Sequence, residues 1–299
     1  MDLSIKEQMI GLIYSGVNYQ SQKCYLSYLF QEDLQQEALS INEIYQIIKM
    51  LRLNHQFTDQ NVIDWQGAEL AYFKQLAKST IIFGEAHYPR LWYQLAQPPL
   101  LLFYQGNLSC LTRPLVSIVG SRLTTEYGRM MTESLVAAFA KEGWGVVSGL
   151  ARGIDRIVHE TSLAYHSRST VALIASGLNR TYPSEHQQLQ QTLAKNHLVI
   201  SEYLPDSPPL KHHFIMRNRL IAGISPITCV MEAAQKSGSL ITANYALQCN
   251  REVFALPGRV IDKQSQGCNQ LIASGAYPIL NVSETVAEIR QLFKNQNYF

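Results

Sequence analysis

The most chemically distinctive segment of the chain is residues 211–219, which read KHHFIMRNR. It places three fixed cations, two histidines and the aromatic Phe214 within nine residues. Cations attract phosphate, and an aromatic ring can stack a nucleobase for about 1–3 kcal/mol, so the composition suits a single-stranded nucleic acid. Most basic runs of this kind are only solvated turns. The position of this one in the fold must therefore decide its role.

The cations of this segment cannot all serve one ligand if residues 214–222 form a helix. Arg217 and Asn218 would then project differently from Arg219. One arginine would be left to pair with a carboxylate at the sheet edge, such as Glu202 or Glu232.

Glycine loops after apolar runs form the second set of candidates. Gly120, Ser121 and Arg122 follow the run 115–119, and the loop 148–153 reads SGLARG. Glycine lets a backbone approach a ligand closely, and the helix N-terminus that follows offers unpaired N–H groups. One such loop predicts only a tight turn, whereas several on one edge favour a phosphate-bearing ligand. A dinucleotide fingerprint is excluded because Arg122 stands where GxGxxG requires glycine, and the chain has no P-loop motif.

The catalytic candidates are weaker. Asp155 and His159 are four residues apart and could form an acid–base pair. The better interpretation is structural: an acidic residue at a helix N-terminus, with His159 as its partner. Cys268 is expected to be a small buried thiol. His212 and His213 lack a spaced carboxylate or cysteine, so we expect no metal site, no cofactor and no catalytic residues.

The elements that position these residues are indicated by short apolar runs without polar alternation, which are typical of strands buried on both faces. They alternate with helix-patterned segments. We therefore predict an α/β fold with a doubly wound, mostly parallel sheet, helices on both faces, and ligands at the carboxyl ends of the strands. The expected strands occupy residues 81–83, 100–104, 115–119, 144–147, 170–175, 197–201, 227–231 and 252–256, and helical segments are expected at 127–141 and 283–293.

Residues 1–75 have a different pattern, with apolar residues at helical spacing and polar breaks near residues 15–21 and 56–61. We predict a small all-helical domain at 1–75, followed by the α/β domain at 76–299 with its core at 115–280. The net charge of +2 is uneven. Residues 1–80 carry six basic and nine acidic side chains, and residues 81–299 carry 19 and 14. The five widely spaced cysteines and the absence of a membrane-spanning run predict a cytoplasmic protein with reduced thiols.

An ordered series of motifs runs from residue 118 to residue 276: IVGSR, SGLARGID, SGLxxxYP, SEY, FxxRNRxIAG, EAxxxSGSLIT, REVFALPG and GCNxLIxxGA. The series resembles the DNA-processing protein A (DprA/Smf) family, over about residues 80–280. The resemblance implies an extended Rossmann-like fold preceded by a sterile-alpha-motif-like domain, here without the C-terminal winged-helix domain of some relatives. It further implies a homodimer without known catalysis, which binds single-stranded DNA, protects it and loads the RecA recombinase in natural transformation.

Functional residues are carried over from the family by motif. The resemblance implies that Arg122 contacts DNA phosphate, that Lys211 lines a positive pocket and that Arg217 and Arg219 lie at or under its floor. The full set predicted to bind DNA is Gly120, Ser121, Arg122, Gly177, Arg180, Lys211, Phe214, Arg217, Asn218 and Arg219. The resemblance also places the dimer interface around Asn269, Leu271, Ile272 and Pro278, a late apolar stretch expected near the sheet's margin.

One departure from the family concerns the loop after Tyr182. Many relatives have a lysine after the Tyr-Pro pair, whereas this chain has Ser184, and Arg180 is a candidate to replace that charge. Two alternatives to a DNA-binding module remain open. One is a nucleotide-binding enzyme that resembles the lysine-decarboxylase-like phosphoribohydrolases, although the PGGxGTxxE loop of those enzymes has no counterpart at residues 233–242. The other is a protein-interaction scaffold.

Overall fold

The computed structural model describes residues 2–53, 65–165 and 169–295. The chain forms two compact units. The smaller comprises residues 1–86 and 99–103, and the larger comprises residues 87–98 and 104–299. Among the described residues, no helix is long and apolar enough to cross a membrane.

The small unit contains the helices predicted for residues 1–75. The first begins at Ile5 because Ser4 and Glu7 cap its N-terminus reciprocally. A two-residue antiparallel pair, which the apolar pattern did not predict, accompanies the helices, and the predicted break at 56–61 lies outside the described residues. The elements are β1 (Asp2–Leu3), α1 (Ile5–Tyr14), α2 (Tyr19–Gln31), β2 (Leu39–Ser40), α3 (Ile41–Met50), α4 (Ala68–Ala77) and β3 (Thr80–Ile82), which pairs antiparallel with residues 101–103 of β4 (Leu101–Gly106).

The large unit is built on seven parallel strands in the spatial order β11-β10-β9-β5-β6-β7-β8. The predicted doubly wound, mostly parallel sheet is confirmed, and the predicted strands lie within one or two residues of the observed ones. The strands are β5 (Leu115–Val119), β6 (Gly145–Ser148), β7 (Thr170–Ile174), β8 (Leu198–Ser201), β9 (Ile227–Val230), β10 (Glu252–Ala255) and β11 (Tyr277–Pro278).

Helices cover both faces of this sheet, as β5 shows by its alternating side chains. Val116 and Ile118 are fully buried in a core that includes Phe139 and Phe293. Between them, Ser117 points to the opposite face and donates a hydrogen bond to the Ile221 carbonyl at 2.6 Å. The helices are α5 (Glu126–Lys141), α6 (Ile154–Leu163), α7 (Gln187–Asn196), α8 (Lys211–Gly223), α9 (Gly238–Gln248), α10 (Gln266–Ala273) and α11 (Val282–Asn295).

Candidate nucleic-acid interface

A cleft of about 400 Å³ opens at the carboxyl ends of β5, β6 and β9. From β5 the sheet grows through β6, β7 and β8 in one direction, and β9 then returns to the other side of β5. This reversal is a topological switch point, the place where open α/β sheets hold ligands. The loops after these three strands line the cleft, as predicted for those after β5 and β6, whereas Gly177 and Glu202 do not.

Glycines bring the loops after β5 and β6 into direct contact. The Ile154 amide donates to the Ser121 carbonyl at 3.1 Å. A Cβ at Gly120 would collide with the Ile154 side chain, and one at Gly153 would collide with the Ser121 carbonyl. Gly153 also has a φ of +71°, which side chains rarely adopt. The close packing of the two loops therefore explains why positions 120 and 153 are glycine.

Arg217 lies on the cleft floor, with only 5% of its surface exposed. Its Nη1 donates to the carbonyls of Gly149 and Leu173 at 2.5 and 2.6 Å, and its Nε donates to Asn218 Oδ1 at 3.2 Å. Burial lowers the pKa of Arg217, while the Asp155 carboxylate opposes that shift. Because Nη1 donates to two fixed backbone carbonyls, the guanidinium is positioned before any ligand binds.

Arg219, two residues further along α8, belongs to a different environment. Its Nη2 donates to both oxygens of Glu202, at 2.5 and 2.7 Å, and the arginine is 5% exposed. It does not line the cleft, whereas Arg217 and Asn218 do. The prediction that Arg217 and Asn218 project differently from Arg219 is confirmed, and Glu202 is the sheet-edge carboxylate that pairs with one arginine.

The cleft rim carries an exposed cation above an aromatic ring. The Arg122 guanidinium carbon lies 5.7 Å from the centroid of the Phe214 ring, within the range of a cation–π contact. Phe214 is half-buried and, like Arg122, lines the cleft. In the described parts of the chain, Arg122 forms no ion pair. Its charge therefore remains available to an anionic ligand.

Lys236 is a second exposed cation on the rim, at a position that the sequence pattern did not predict. It directly precedes Ser237, the N-cap of α9. A Cβ at Gly238 would meet nothing within 4 Å, so the first turn of α9 opens into the cleft. A lysine beside an open helix N-terminus suits a phosphate group.

The N-terminus of α5, by contrast, already holds a carboxylate. Thr125 donates from its amide and its hydroxyl to Glu232, at 3.0 and 2.5 Å, and also caps the Gly128 amide. Burial raises the pKa of Glu232, while the hydrogen bonds from Thr125 oppose the shift. The expectation that a helix N-terminus is open to a ligand therefore fits α9. It does not fit α5, where Glu232 occupies the place of a ligand.

Besides Arg219, three other predicted DNA-binding residues lie outside the cleft lining. Gly177 is buried, and its amide donates to the Ser207 carbonyl at 2.9 Å. Arg180 is exposed, and its Nε donates to the Asp206 carbonyl at 3.3 Å. Lys211 is the exposed first residue of α8, one helical turn before Phe214. The cleft therefore unites Gly120, Ser121, Arg122, Phe214, Arg217 and Asn218 from the predicted set.

The proposed acid–base pair does not form. His159 is fully buried and bonds through Nδ1 to Thr170 Oγ1 at 2.8 Å. Asp155 accepts a hydrogen bond from the Ala151 amide at 3.3 Å instead. Within the described residues no hydrogen bond joins Asp155 to His159, so the interpretation of His159 as the partner of Asp155 is wrong. The position of Asp155 in the first turn of α6 is as predicted.

The remaining thiol and histidine candidates are packed into the fold. Cys268 is fully buried, its thiol lies 3.5 Å from the Val230 carbonyl, and burial raises its pKa to about 12. His213 stacks on Tyr203, with ring centroids 3.7 Å apart. Among the described residues, no group of three His, Cys, Asp or Glu side chains could hold a metal ion.

The predicted dimer residues lie at one margin of the sheet. Leu271 and Ile272 on α10 are half-buried, and Pro278 lies on β11, which pairs with β10 and stands at one end of the strand order. The side chain of Asn269 forms hydrogen bonds within its own chain. Its Nδ2 donates to the Gly258 carbonyl at 3.0 Å, and its Oδ1 accepts from the Gly258 amide at 3.2 Å.

Comparison with known proteins identifies the family. Residues 79–290 match the model of the DNA recombination-mediator protein A family. The chain belongs to this family. The DNA processing protein DprA of Bacillus subtilis is 38% identical over 221 residues, which cover 74% of each chain. This agrees with the resemblance seen in the ordered motifs.

Solved structures of DprA proteins share the fold. That of Streptococcus pneumoniae DprA is 34% identical, has a TM-score of 0.82 and is matched over 96% of this chain and 99% of its own. That of Helicobacter pylori DprA, described with its single-stranded DNA binding mode, is 31% identical, has a TM-score of 0.65 and covers 71% of this chain and 96% of its own.

Proposed function

We propose that this chain binds single-stranded DNA, without sequence preference, in the cleft at the switch point. The observation that carries the proposal is the Arg122–Phe214 pair, a cation without a counter-ion among the described residues, held over an aromatic ring at the ligand edge of the sheet. Cations and aromatic rings in one groove are the two components of sequence-tolerant binding to single strands. The single-stranded DNA binding mode described for the Helicobacter pylori relative supports the same conclusion.

The rim and the floor of the cleft have different roles in the proposed binding. Arg122 and Lys236, with Lys211 beyond the rim, supply charge to phosphates, and Phe214 supplies a face for a base. Arg217 and Asn218 supply fixed donors at the floor. In this proposal, Arg219 acts through Glu202 and does not contact DNA. Gly120 and Ser121 shape the loop that presents Arg122.

The experiment is a titration with fluorescent oligo-dT at several salt concentrations. Each neutralised phosphate contributes about −0.7 to the slope of log K against log[salt] for single strands. Arg122→Ala should weaken binding and reduce that slope by about 0.7. Lys141→Ala removes an exposed cation at the opposite end of α5 and should leave both quantities unchanged. A wild-type affinity that is insensitive to salt would contradict the proposal.

We propose that the protein acts by binding and not by catalysis. Asp155 and His159 have separate partners, and the phosphoribohydrolase loop has no counterpart at residues 233–242. Incubation with nucleoside monophosphates tests the enzymatic alternative, because release of free base would support it. A protein that binds neither oligo-dT nor monophosphates would favour the scaffold.

In the cell, we propose that the chain protects incoming single strands and loads the RecA recombinase onto them, as a homodimer. Membership of the family supports this role. The half-buried Leu271 and Ile272 support the dimer. So do Tyr277 on the edge strand, which is 39% exposed, and Leu280 just after it, which is 70% exposed. If loading occurs, the protein should shorten the lag of RecA filament assembly on DNA already coated with single-stranded DNA-binding protein, and Arg122→Ala should not.

A further inference from the structure

A row of three side chains leads out of the cleft. The ring of Tyr182 meets that of Phe214 edge to face, with centroids 5.2 Å apart and planes at 65°. Phe214 in turn lies under the guanidinium of Arg122. Phe214 and Arg122 line the cleft, whereas Tyr182 lies beyond its lining. The aromatic surface therefore continues past the edge of the cleft.

Tyr182 is the more open of the two rings. It is 45% exposed, whereas Phe214 is half-buried and its ring already contacts a guanidinium. In the described part of the chain, the Tyr182 hydroxyl has no hydrogen-bond partner. The exposed ring therefore has room for a further planar group.

Two cations lie close to Tyr182 in the loops: Arg180, whose Nε donates to the Asp206 carbonyl at 3.3 Å, and Arg152. The neighbouring Arg152 donates from Nε and Nη2 to the two oxygens of Glu185, at 2.6 and 2.8 Å. Ser184, which is also exposed, adds no charge. A nucleotide at Tyr182 would therefore be held mainly by stacking, in contrast to one beside Arg122.

We propose that Tyr182 stacks a nucleobase next to the base held at Phe214, so that the DNA path extends outward from the cleft. This inference rests on the proposed function of the same site and adds a second, charge-independent contact. Because every base has a π-face, the contact should be tolerant of sequence. The edge-to-face contact with Phe214 fixes the Tyr182 ring, which reduces the ordering that binding requires.

The test compares oligo-dT with an abasic oligonucleotide of the same length, which keeps the phosphates and lacks the bases. Tyr182→Leu should weaken binding to oligo-dT roughly 5- to 150-fold, the range for one base–aromatic stack. It should leave both the affinity for the abasic strand and the salt dependence unchanged. Tyr182→Phe, which keeps the ring, should bind like the wild type. Phe214→Leu should show the same selective loss.

The matched control is Tyr165→Leu. Tyr165 is similarly exposed, at 42%, but follows the C-terminal end of α6, whose N-terminal end faces the cleft. An equal loss on both oligonucleotides would show that Tyr182 only shapes the loop and would overturn the stacking proposal. An unchanged affinity of Tyr182→Leu for oligo-dT would also overturn it. A wild-type protein that binds neither strand would instead overturn the proposed function.

Discussion

Gly149 determines how closely the backbone can approach the Arg217 guanidinium on the cleft floor. Its carbonyl accepts a hydrogen bond from Nη1, and a Cβ at this position would overlap the guanidinium. The backbone there does not need a positive φ, so the requirement for glycine is steric.

Gly149→Ala should therefore destabilise the protein by about 1–3 kcal/mol, the usual cost of overpacking a filled site. Urea unfolding measures this free energy. Gly238→Ala is the control, because its Cβ would meet nothing within 4 Å and its stability should be unchanged or slightly higher. Equal stability of Gly149→Ala and wild type would mean that Arg217 can move aside without loss.

Ser184 stands where many relatives have a lysine, and Arg180 is the candidate to replace that charge. If Arg180 replaces it, Arg180→Ala should weaken binding to oligo-dT markedly, and Ser184→Lys should strengthen it by adding a phosphate contact. Ser184 is exposed, so a lysine fits there. An Arg180→Ala variant that binds DNA as the wild type does would exclude the compensation, in keeping with the hydrogen bond of Arg180 to Asp206.

Individual site residues could be predicted where helical geometry fixes direction, as for the divergence of Arg217 and Arg219. The cleft residue Lys236 was missed because nothing in the sequence distinguishes a lysine before an N-cap from any solvated lysine. The partner of His159 was also mispredicted. Thr170, which bonds it, lies on the next strand and not on the same helix.

At the scale of elements, the α8 helix is tied to the end of β8 by the Arg219–Glu202 ion pair. The side chains are 6% and 18% exposed. Removing one partner of a buried pair leaves an uncompensated charge, which typically costs about 3–5 kcal/mol.

Arg219→Met should therefore lower the free energy of unfolding by about that amount, and Arg219→Met with Glu202→Leu should recover most of it. Denaturant unfolding gives both values. The salt dependence of DNA binding should be the same in every variant that remains folded. A reduced salt slope in the double variant would instead mean that Arg219 contacts DNA, as the family resemblance implied.

The burial of His159, which bonds Thr170 of β7, makes the domain sensitive to acid. Burial lowers the pKa of His159 to about 3, whereas the unfolded value is about 6.5. The folded state therefore holds the neutral imidazole. Its contribution to stability is complete above pH 6.5 and is lost as the pH falls from 6.5 towards 3.

Between pH 7 and pH 5 this histidine alone should lower the free energy of unfolding by about 2 kcal/mol. His159→Gln, which can still bond Thr170, should flatten that part of the profile. Urea unfolding at the two pH values tests it. The burial of His197 lowers its pKa in the same direction, so some acid sensitivity should persist in the variant. Identical pH profiles for variant and wild type would contradict the prediction.

The strands of the large unit could be predicted because uninterrupted apolar runs are typical of a sheet covered on both faces. The sequence could not predict that the N-terminus of α5 holds a carboxylate whereas that of α9 is open. Glu232 reaches Thr125 across 107 residues, and no local pattern contains that pairing.

At the scale of the whole molecule, the predicted homodimer depends on the margin formed by α10 and β11. β11 is an edge strand, so a charge introduced there need not enter the core. In a two-fold interface each substitution places its charge on both partners.

Ile272→Lys and Pro278→Asp should therefore yield folded monomers that still bind short oligonucleotides, as judged by light scattering and circular dichroism. Tyr165→Lys, an exposed position after α6, should remain dimeric. A wild-type protein that is monomeric at micromolar concentration would rule out the interface. The domain division at residue 75 likewise stays a prediction.

The late return of β9 to the side of β5 sets the order in which a ribosome can complete this molecule. Thr125 and Glu232 are 107 residues apart, which corresponds to roughly 5–20 s of synthesis. During that interval the loops after β5 and β6 exist without α8, Lys236 or the first turn of α9. The β9-facing edge of β5 is also unpaired, and such an edge invites association with other chains. Translation halted before β9 would therefore yield a fragment that is prone to aggregate and has only half a cleft.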